Sequence, residues 1–190
     1  VEDLPPSIAE VAFAGRSNVG KSSLINALAN QRQLAVVSKT PGRTRLLNLF
    51  EVEPSSKRGD EAEGTPRTLV DLPGYGYANV PQRVRDGWAR MIEEYLLNRK
   101  SLRMVVLLVD GAVGPTALDV QMVEWAAHHD LPLHAVATKQ DKVGPSRLER
   151  RKLELAAGLD RSPDDVTWVS ASKRLNLDRL RSQVRSWVGA

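Results

Sequence analysis

Apolar residues occur along this chain as short runs, separated by stretches in which they recur at helical spacing. Glu10-Val11-Ala12-Phe13-Ala14-Gly15 is the first run, and its closing glycine marks a buried strand feeding a turn. Helical sequence follows over 21–28. After a polar, turn-rich stretch through Pro41-Gly42, residues 45–52 alternate as a strand does, and Thr68-Leu69-Val70-Asp71 reads as its neighbour. Between them, in 54–66, Ala62 is the only apolar side chain apart from the prolines, which predicts a mobile loop. Val84, Trp88, Met91, Tyr95 and Leu96 are spaced for a helix, and the unbroken run 104–109 for a strand buried on both faces. Two further pairings and a closing helix follow: a helix through Leu118, Met122, Trp125 and Ala126 with a strand at 133–137; a helix from Pro145 to about Leu159 with a strand at 166–169; and a last amphipathic helix through Leu177, Leu180, Val184, Trp187 and Val188. This alternation predicts a three-layer α/β fold, a mostly parallel six-stranded sheet with one antiparallel edge strand, covered by helices through right-handed crossovers.

Composition narrows the chemistry. The 190 residues suit one domain spanning 1–190, and no apolar run is long enough to cross a bilayer, so no membrane partner is expected. The absence of cysteine excludes disulfides, thiolate zinc sites and iron-sulfur clusters and fits a reducing cytosol. The formal charge of +4 comes with an excess of arginine over lysine. Arginine suits phosphate recognition, and plain solubility accounts for the charge equally well. The chain begins at Val1, so terminal signals or tails can be missing from it.

The decisive segment is Gly15-Arg16-Ser17-Asn18-Val19-Gly20-Lys21-Ser22, a complete G-x-x-x-x-G-K-S phosphate loop between an expected strand and an expected helix. Its glycines let backbone N–H groups wrap a β-phosphate, Lys21 neutralises β and γ oxygens, the helix N-terminus adds its dipole, and Ser22 offers a magnesium ligand. The sheet is therefore expected to be that of a P-loop NTPase with a Ras-like G domain. Thr138-Lys139-Gln140-Asp141 follows the strand 133–137 and selects the base. An aspartate accepts both the N1 and N2 protons of guanine, adenine has no such donor pair, and the lysine stem can lie across the purine. Asp71-Leu72-Pro73-Gly74 sits at another strand end, where Asp71 can hold magnesium through water and the Gly74 N–H can sense a γ-phosphate. Ser170-Ala171-Ser172 can turn backbone N–H groups toward guanine O6. Thr44, within Pro41-Gly42-Arg43-Thr44-Arg45, can join magnesium when γ-phosphate is present, with Thr40 as the competing candidate.

The segments GRSNVGKSSLINAL, SKTPGRTRLLNLF, VDLPGYGYANV and TKQDK resemble the YihA/EngB/YsxC family of bacterial GTPases, within the translation-factor-related class, over nearly the whole chain. The resemblance implies a monomeric cytoplasmic GTPase needed for assembly of the large ribosomal subunit and for normal cell division and septation. It implies magnesium ligands at Ser22 and Thr44, and nucleotide contacts at Gly15, Arg16, Ser17, Asn18, Val19, Gly20, Lys21 and Ser22. Further contacts fall on Gly42, Arg43, Thr44, Arg45 and Leu46, on Asp71, Leu72, Pro73 and Gly74, on Thr138, Lys139, Gln140 and Asp141, and on Ser170, Ala171 and Ser172. The 54–66 loop is longer than the usual connection there.

Signalling GTPases place a glutamine after D-x-x-G to orient the attacking water, and here the position is Tyr75. Slow intrinsic hydrolysis is expected, with Lys21, Thr44 and Gly74 as the groups nearest the reacting phosphate. Asn18 matches the loop asparagine with which related GTPases hold a potassium ion, and a purely structural asparagine is the alternative. Arg43, Arg45, Arg83 and Arg85 near the switch loops, and Arg147, Arg150, Arg151 and Lys152 on a helix interleaved with Glu149 and Glu154, form two candidate basic patches for RNA phosphates or two solvated surfaces. The leading reading is a GTP-driven timer of ribosome assembly. An RNA-binding scaffold with a structural nucleotide, an ATP-dependent kinase and a direct septation factor are the alternatives.

Overall fold

The computed structural model describes residues 4–29, 34–37, 47–52, 66–75 and 82–189. Thr40, the segment 42–46 and all of the 54–66 loop except Pro66 lie outside them. Chain order runs β1 (Ala9–Gly15), α1 (Lys21–Ala29), β2 (Leu34–Val37), β3 (Asn48–Val52), β4 (Arg67–Asp71), α2 (Gln82–Asn98), β5 (Leu102–Asp110), α3 (Ala117–His128), β6 (Leu133–Thr138), α4 (Pro145–Gly158), β7 (Val166–Trp168) and α5 (Leu177–Val188).

The six expected strands are present, and β2 adds a seventh; β3 is the single strand running opposite to the others. Spatial order is β2-β3-β4-β1-β5-β6-β7, so β3 pairs antiparallel with both β4 and β2 and is not the edge. Residues 34–37 are too short to stand out from a turn-rich stretch. They become a strand by pairing Leu34 with Val52 and Val37 with Leu49.

Helices cover both faces because alternate residues of the central strands are apolar on each side. Phe13, Val106 and Leu108 face Leu24 and Ile25 of α1 and Leu180 and Val184 of α5. The opposite face buries Ala12, Val70 and Val105 beneath Tyr95 and Leu96 of α2, and Leu107 and Ala137 beneath Val123 of α3 and Leu155 of α4. Strands β4, β1, β5, β6 and β7 run parallel, so their carboxyl ends share one edge of the sheet. The chain reverses direction of travel across the sheet at β1, which places the loop after β1 in the crevice where open α/β sheets bind ligands.

Glu10 is the one charge within the first apolar run, and it is fully buried. Its Oε2 accepts from the Tyr95 hydroxyl at 2.7 Å, and its Oε1 from Nε and Nη2 of Arg99 at 2.9 and 2.6 Å. Arg99 Nη2 also donates to the Pro5 carbonyl at 2.6 Å, so one buried group ties β1 to the end of α2 and to the incoming chain. Burial, and then the adjacent Glu10 carboxylate, push the Tyr95 phenol far above its ordinary value, so it stays a donor. Glu10→Gln keeps the volume but turns an amide toward one of these donors. It should cost about 2 kcal/mol and lower the thermal midpoint by roughly 4–8 °C, read by circular dichroism. An unchanged midpoint would show the cluster to be energetically neutral.

Candidate functional site

The loop between β1 and α1 is fixed by its carbonyls. Val19 is buried, and its C=O accepts from the Thr138 hydroxyl at 2.7 Å. The Asn18 C=O accepts from Lys139 Nζ at 2.8 Å. Both donors come from the end of β6, so the segment expected to read the base also holds the phosphate loop. Gly20 has φ +99°, a conformation that side-chain-bearing residues rarely adopt. Gly15 is required for space: a Cβ there would lie 3.0 Å from the Leu108 carbonyl oxygen and 3.1 Å from Val19 Cγ1. Asn18 is left-handed at φ +64°, which asparagine tolerates, and its exposed side chain has no partner among the described residues. Among those residues the N–H groups of Asn18, Gly20, Lys21 and Ser22 have no acceptor, whereas that of Ser17 donates to the Tyr75 carbonyl at 3.0 Å. Four open amides at a helix start form an anion cradle.

Lys21 and Asp71 meet directly: the Lys21 ammonium forms an ion pair with Asp71 Oδ1. Asn48 Nδ2 approaches the other carboxylate oxygen at 3.4 Å, from the β3 residue that pairs in register with Asp71. Leu72 is buried, with its N–H on the Phe13 carbonyl at 3.0 Å, while Pro73 and Gly74 are half-buried. A Cβ on Gly74 would lie 3.2 Å from the Ser17 nitrogen, so the D-x-x-G turn rests on the phosphate loop. Arg16 is bridged to Tyr75, and the Tyr75 N–H donates to the Gly15 carbonyl at 3.2 Å. The Ser22 hydroxyl side of α1 is exposed.

Tyr75 points away from any water-orienting role. Its hydroxyl donates to Asp119 Oδ1 at 2.7 Å, and the other Asp119 oxygen accepts from the Thr116 N–H and hydroxyl at 2.8 and 2.7 Å, at the start of α3. Burial, then the bond to Asp119, raise the phenol far above its ordinary value, so it stays protonated and has no function as a base.

The base-reading residues surround a cleft of about 220 Å³ bounded by Gly20, Ser23, Leu24, Lys139, Asp141 and Ala171. Lys139 adopts φ +56° and pairs with Asp110 Oδ2 at 2.7 Å, which lays its stem along the cleft. The Ser170 hydroxyl donates to Asp141 Oδ1 at 2.5 Å and that of Ser172 to Oδ2 at 3.2 Å. These bonds, Ser170 first, hold the Asp141 carboxyl below its ordinary 3.8. A carboxylate has about four acceptor positions, so two serines leave room for the paired N–H donors of a guanine edge. Gln140 faces elsewhere, its N–H on the Val169 carbonyl at 3.0 Å and its Oε1 accepting from Asn176 at 3.1 Å. One expectation needs correcting: the Ser170 N–H is already bonded to the Leu175 carbonyl at 3.1 Å, so among the described residues only the Ala171 and Ser172 amides remain open for guanine O6.

The structure thus gathers 15–22, 71–74, 138–141 and 170–172 at one sheet edge. Gly42, Arg43, Thr44, Arg45 and Leu46 lie outside the described residues. Asn48, Asp110 and Asp119 are additional members that sequence reading passed over. Asp110 carries a visible signal, a carboxylate directly after the unbroken run 104–109, whereas Asn48 and Asp119 belong only by tertiary contact.

The profile of the "50S ribosome-binding GTPase" family matches residues 10–139. A "Probable GTP-binding protein EngB" of Glaesserella parasuis is 48% identical over 180 residues, covering 94% of this chain and 81% of that protein. Its counterpart in Pelotomaculum thermopropionicum is 46% identical, covering 96% and 87%. Among solved structures, a probable GTP-binding protein engB superposes with a TM-score of 0.69 at 23% identity, over 95% of this chain and 99% of that one. Era in complex with MgGDPNP and a piece of 16S ribosomal RNA superposes at 0.63 and 22% identity, covering 96% and 57%. These two structural likenesses carry the fold, and the sequence matches carry the kinship: the chain belongs to the EngB family of GTP-binding proteins and is a GTPase.

Proposed function

We propose that this GTPase binds its nucleotide in the crevice just described and acts as a switch in assembly of the large ribosomal subunit. The observation that supports the site is the run of open amides at Asn18, Gly20, Lys21 and Ser22, joined through Thr138 and Lys139 to a carboxylate matched to guanine. The cradle amides and Lys21 hold the phosphates, with Lys21 leaving Asp71 to do so. Asp141 accepts from guanine N1 and N2, the Lys139 stem covers the ring, and the Ala171 and Ser172 amides face O6.

The donor set fits magnesium, a hard cation that keeps waters and takes phosphate oxygens. Among the described residues no group of three or more His, Asp or Glu could hold a metal ion, and in this reading phosphate oxygens complete the site. Ser22 and Thr44 would bind it directly and Asp71 through water, and the ion would neutralise charge developing on the β and γ oxygens. With the Tyr75 hydroxyl tied to Asp119, the described residues left beside the reacting phosphate are Gly74, through its N–H, and Lys21, which supports slow unaided turnover. The side chain of Asn18, exposed and without a partner among the described residues, would share a potassium ion. Steady-state hydrolysis should then run about tenfold faster in potassium than in sodium, and equal rates would remove the ion from the scheme.

The family's ribosomal description supports a precursor of the large subunit as partner. The same reading places the protein in the cytoplasm as a monomer, with its requirement in division and septation. No helix among the described residues is long and apolar enough to cross a membrane. Cosedimentation with purified large-subunit precursors tests the switch: binding should differ at least about tenfold between a non-hydrolysable GTP analogue and GDP. Equal binding in the two states would instead favour a scaffold with a structural nucleotide.

A further inference from the structure

We infer that the cleft between the start of α4 and the turn after β5 is a docking site for an RNA strand, held through its phosphates. The cleft has a volume of about 510 Å³, and among the described residues Lys142, Arg147, Arg150 and Arg151 line it against one carboxylate, Glu154. That surplus differs from the sequence picture, in which Glu149 and Glu154 both oppose the basic residues. Glu149 in fact pairs with Lys152 at 2.8 Å and borders a separate depression on another side of α4.

The cations have distinct jobs. Arg151 builds the wall: its Nε and Nη2 donate to the Gly111 and Ala112 carbonyls at 3.0 and 2.9 Å, which fixes α4 against the turn after β5. Glu154 accepts from Arg150 Nε at 2.7 Å and Arg151 Nη1 at 3.2 Å, orienting both forks. Arg147 is exposed and has no ionic partner among the described residues. Lys142 is 69% exposed and only 4.0 Å from the nearest Asp141 oxygen. Residues 147, 150 and 151 are three and four apart, so they share one helical face.

Guanidinium forks at this spacing match phosphate oxygens. Among the described residues the apolar lining is Ala112 and Val143, too small to anchor the side chains through which peptides bind. Lys142 directly follows Asp141, so a strand seated here lies beside the base end of the nucleotide. The choice of ribosomal RNA as ligand rests on the function proposed above; the choice of phosphate rests on the cleft.

The test compares R147E/R150E with K100E/R161E. The second pair is exposed and remote from the cleft, and either double takes the formal charge from +4 to zero. Fluorescein-labelled large-subunit ribosomal RNA is titrated between about 50 and 200 mM potassium chloride. The cleft double should lose at least about tenfold in affinity and about 2 in the slope of log affinity against log salt, with the control within about twofold of wild type. Both should bind GDP as wild type does, which also verifies folding. Equal losses in the two doubles would overturn the cleft as the site, and displacement by polyglutamate as effective as by poly(U) would overturn RNA as its ligand. If wild type cosediments with large-subunit precursors and the cleft double does so equally well, this inference alone fails. If wild type binds neither RNA nor precursor, the ribosomal function fails with it.

Discussion

Lys21→Ala is expected to weaken GTP binding by about 1,000-fold, or ~4 kcal/mol, because two charge-assisted bonds to phosphate oxygens disappear at once. The loss for GDP should be smaller, on the order of 100-fold, since no γ-phosphate is present to miss the ammonium. Part of the gross effect is hidden, because the ammonium pairs with Asp71 and must leave it to reach the phosphates. The variant has no such pair to break. It should also melt earlier, since the Asp71 carboxylate is left with Asn48 as its only described partner. Calorimetric titration and a melting curve measure both effects. Affinity unchanged for both nucleotides would refute the phosphate cradle.

The second large effect is a change of base. Asp141→Asn replaces an acceptor by an amide that turns a donor toward guanine N1 or N2, whereas xanthine offers a carbonyl at position 2. Sites that read a hydrogen bond reject the mismatched partner strongly, so the GTP-to-XTP affinity ratio should move by about 10⁴-fold toward XTP. The Ser170 and Ser172 hydroxyls that now donate to Asp141 can reorient to accept from the new amide, so the fold should survive. A variant that simply lost GTP without gaining XTP would argue that Asp141 only braces the loop.

The same carboxyl sets a pH signature in the wild-type chain. Its folded value is held below 3.8, so it is ionised at neutral and mildly acidic pH. GDP affinity should therefore be nearly flat from pH 8 to about 5 on account of this group. The stability supplied by the two serine bonds is complete above the unfolded-chain value and is lost as pH falls through the lowered one. A decline of affinity near pH 6 that disappears in Asp141→Asn would contradict this.

Much of the architecture could be read locally because its signals are dense. Gly15, Gly20, Lys21 and Ser22 carry backbone freedom, space, charge and a hydroxyl within eight residues, and the run 104–109 needs no neighbour to be identified as a buried strand. The strand at 34–37 was not legible, because LAVV is four residues long and exists as a strand only by pairing with 49–52. The polar wiring was hidden for a different reason. Lys139 meets Asp110 across 29 positions, Tyr75 meets Asp119 across 44, and Lys21 meets Asp71 across 50. No window of local sequence contains both partners of any of these pairs. The position of Tyr75 still carried information, since losing the usual glutamine said what the residue would not do, though not that its hydroxyl would be spent on α3.

The two bonds from β6 to the carbonyls of Val19 and Asn18 have a consequence for fidelity. In the site proposed above, Thr138 and Lys139 would stand between the purine and the triphosphate, so a poorly fitting base would disturb the tethers that shape the loop beneath the phosphates. An incorrect nucleotide would thus be penalised at both of its ends. Discrimination would then run from the Thr138 and Lys139 side chains to two main-chain oxygens of the phosphate loop.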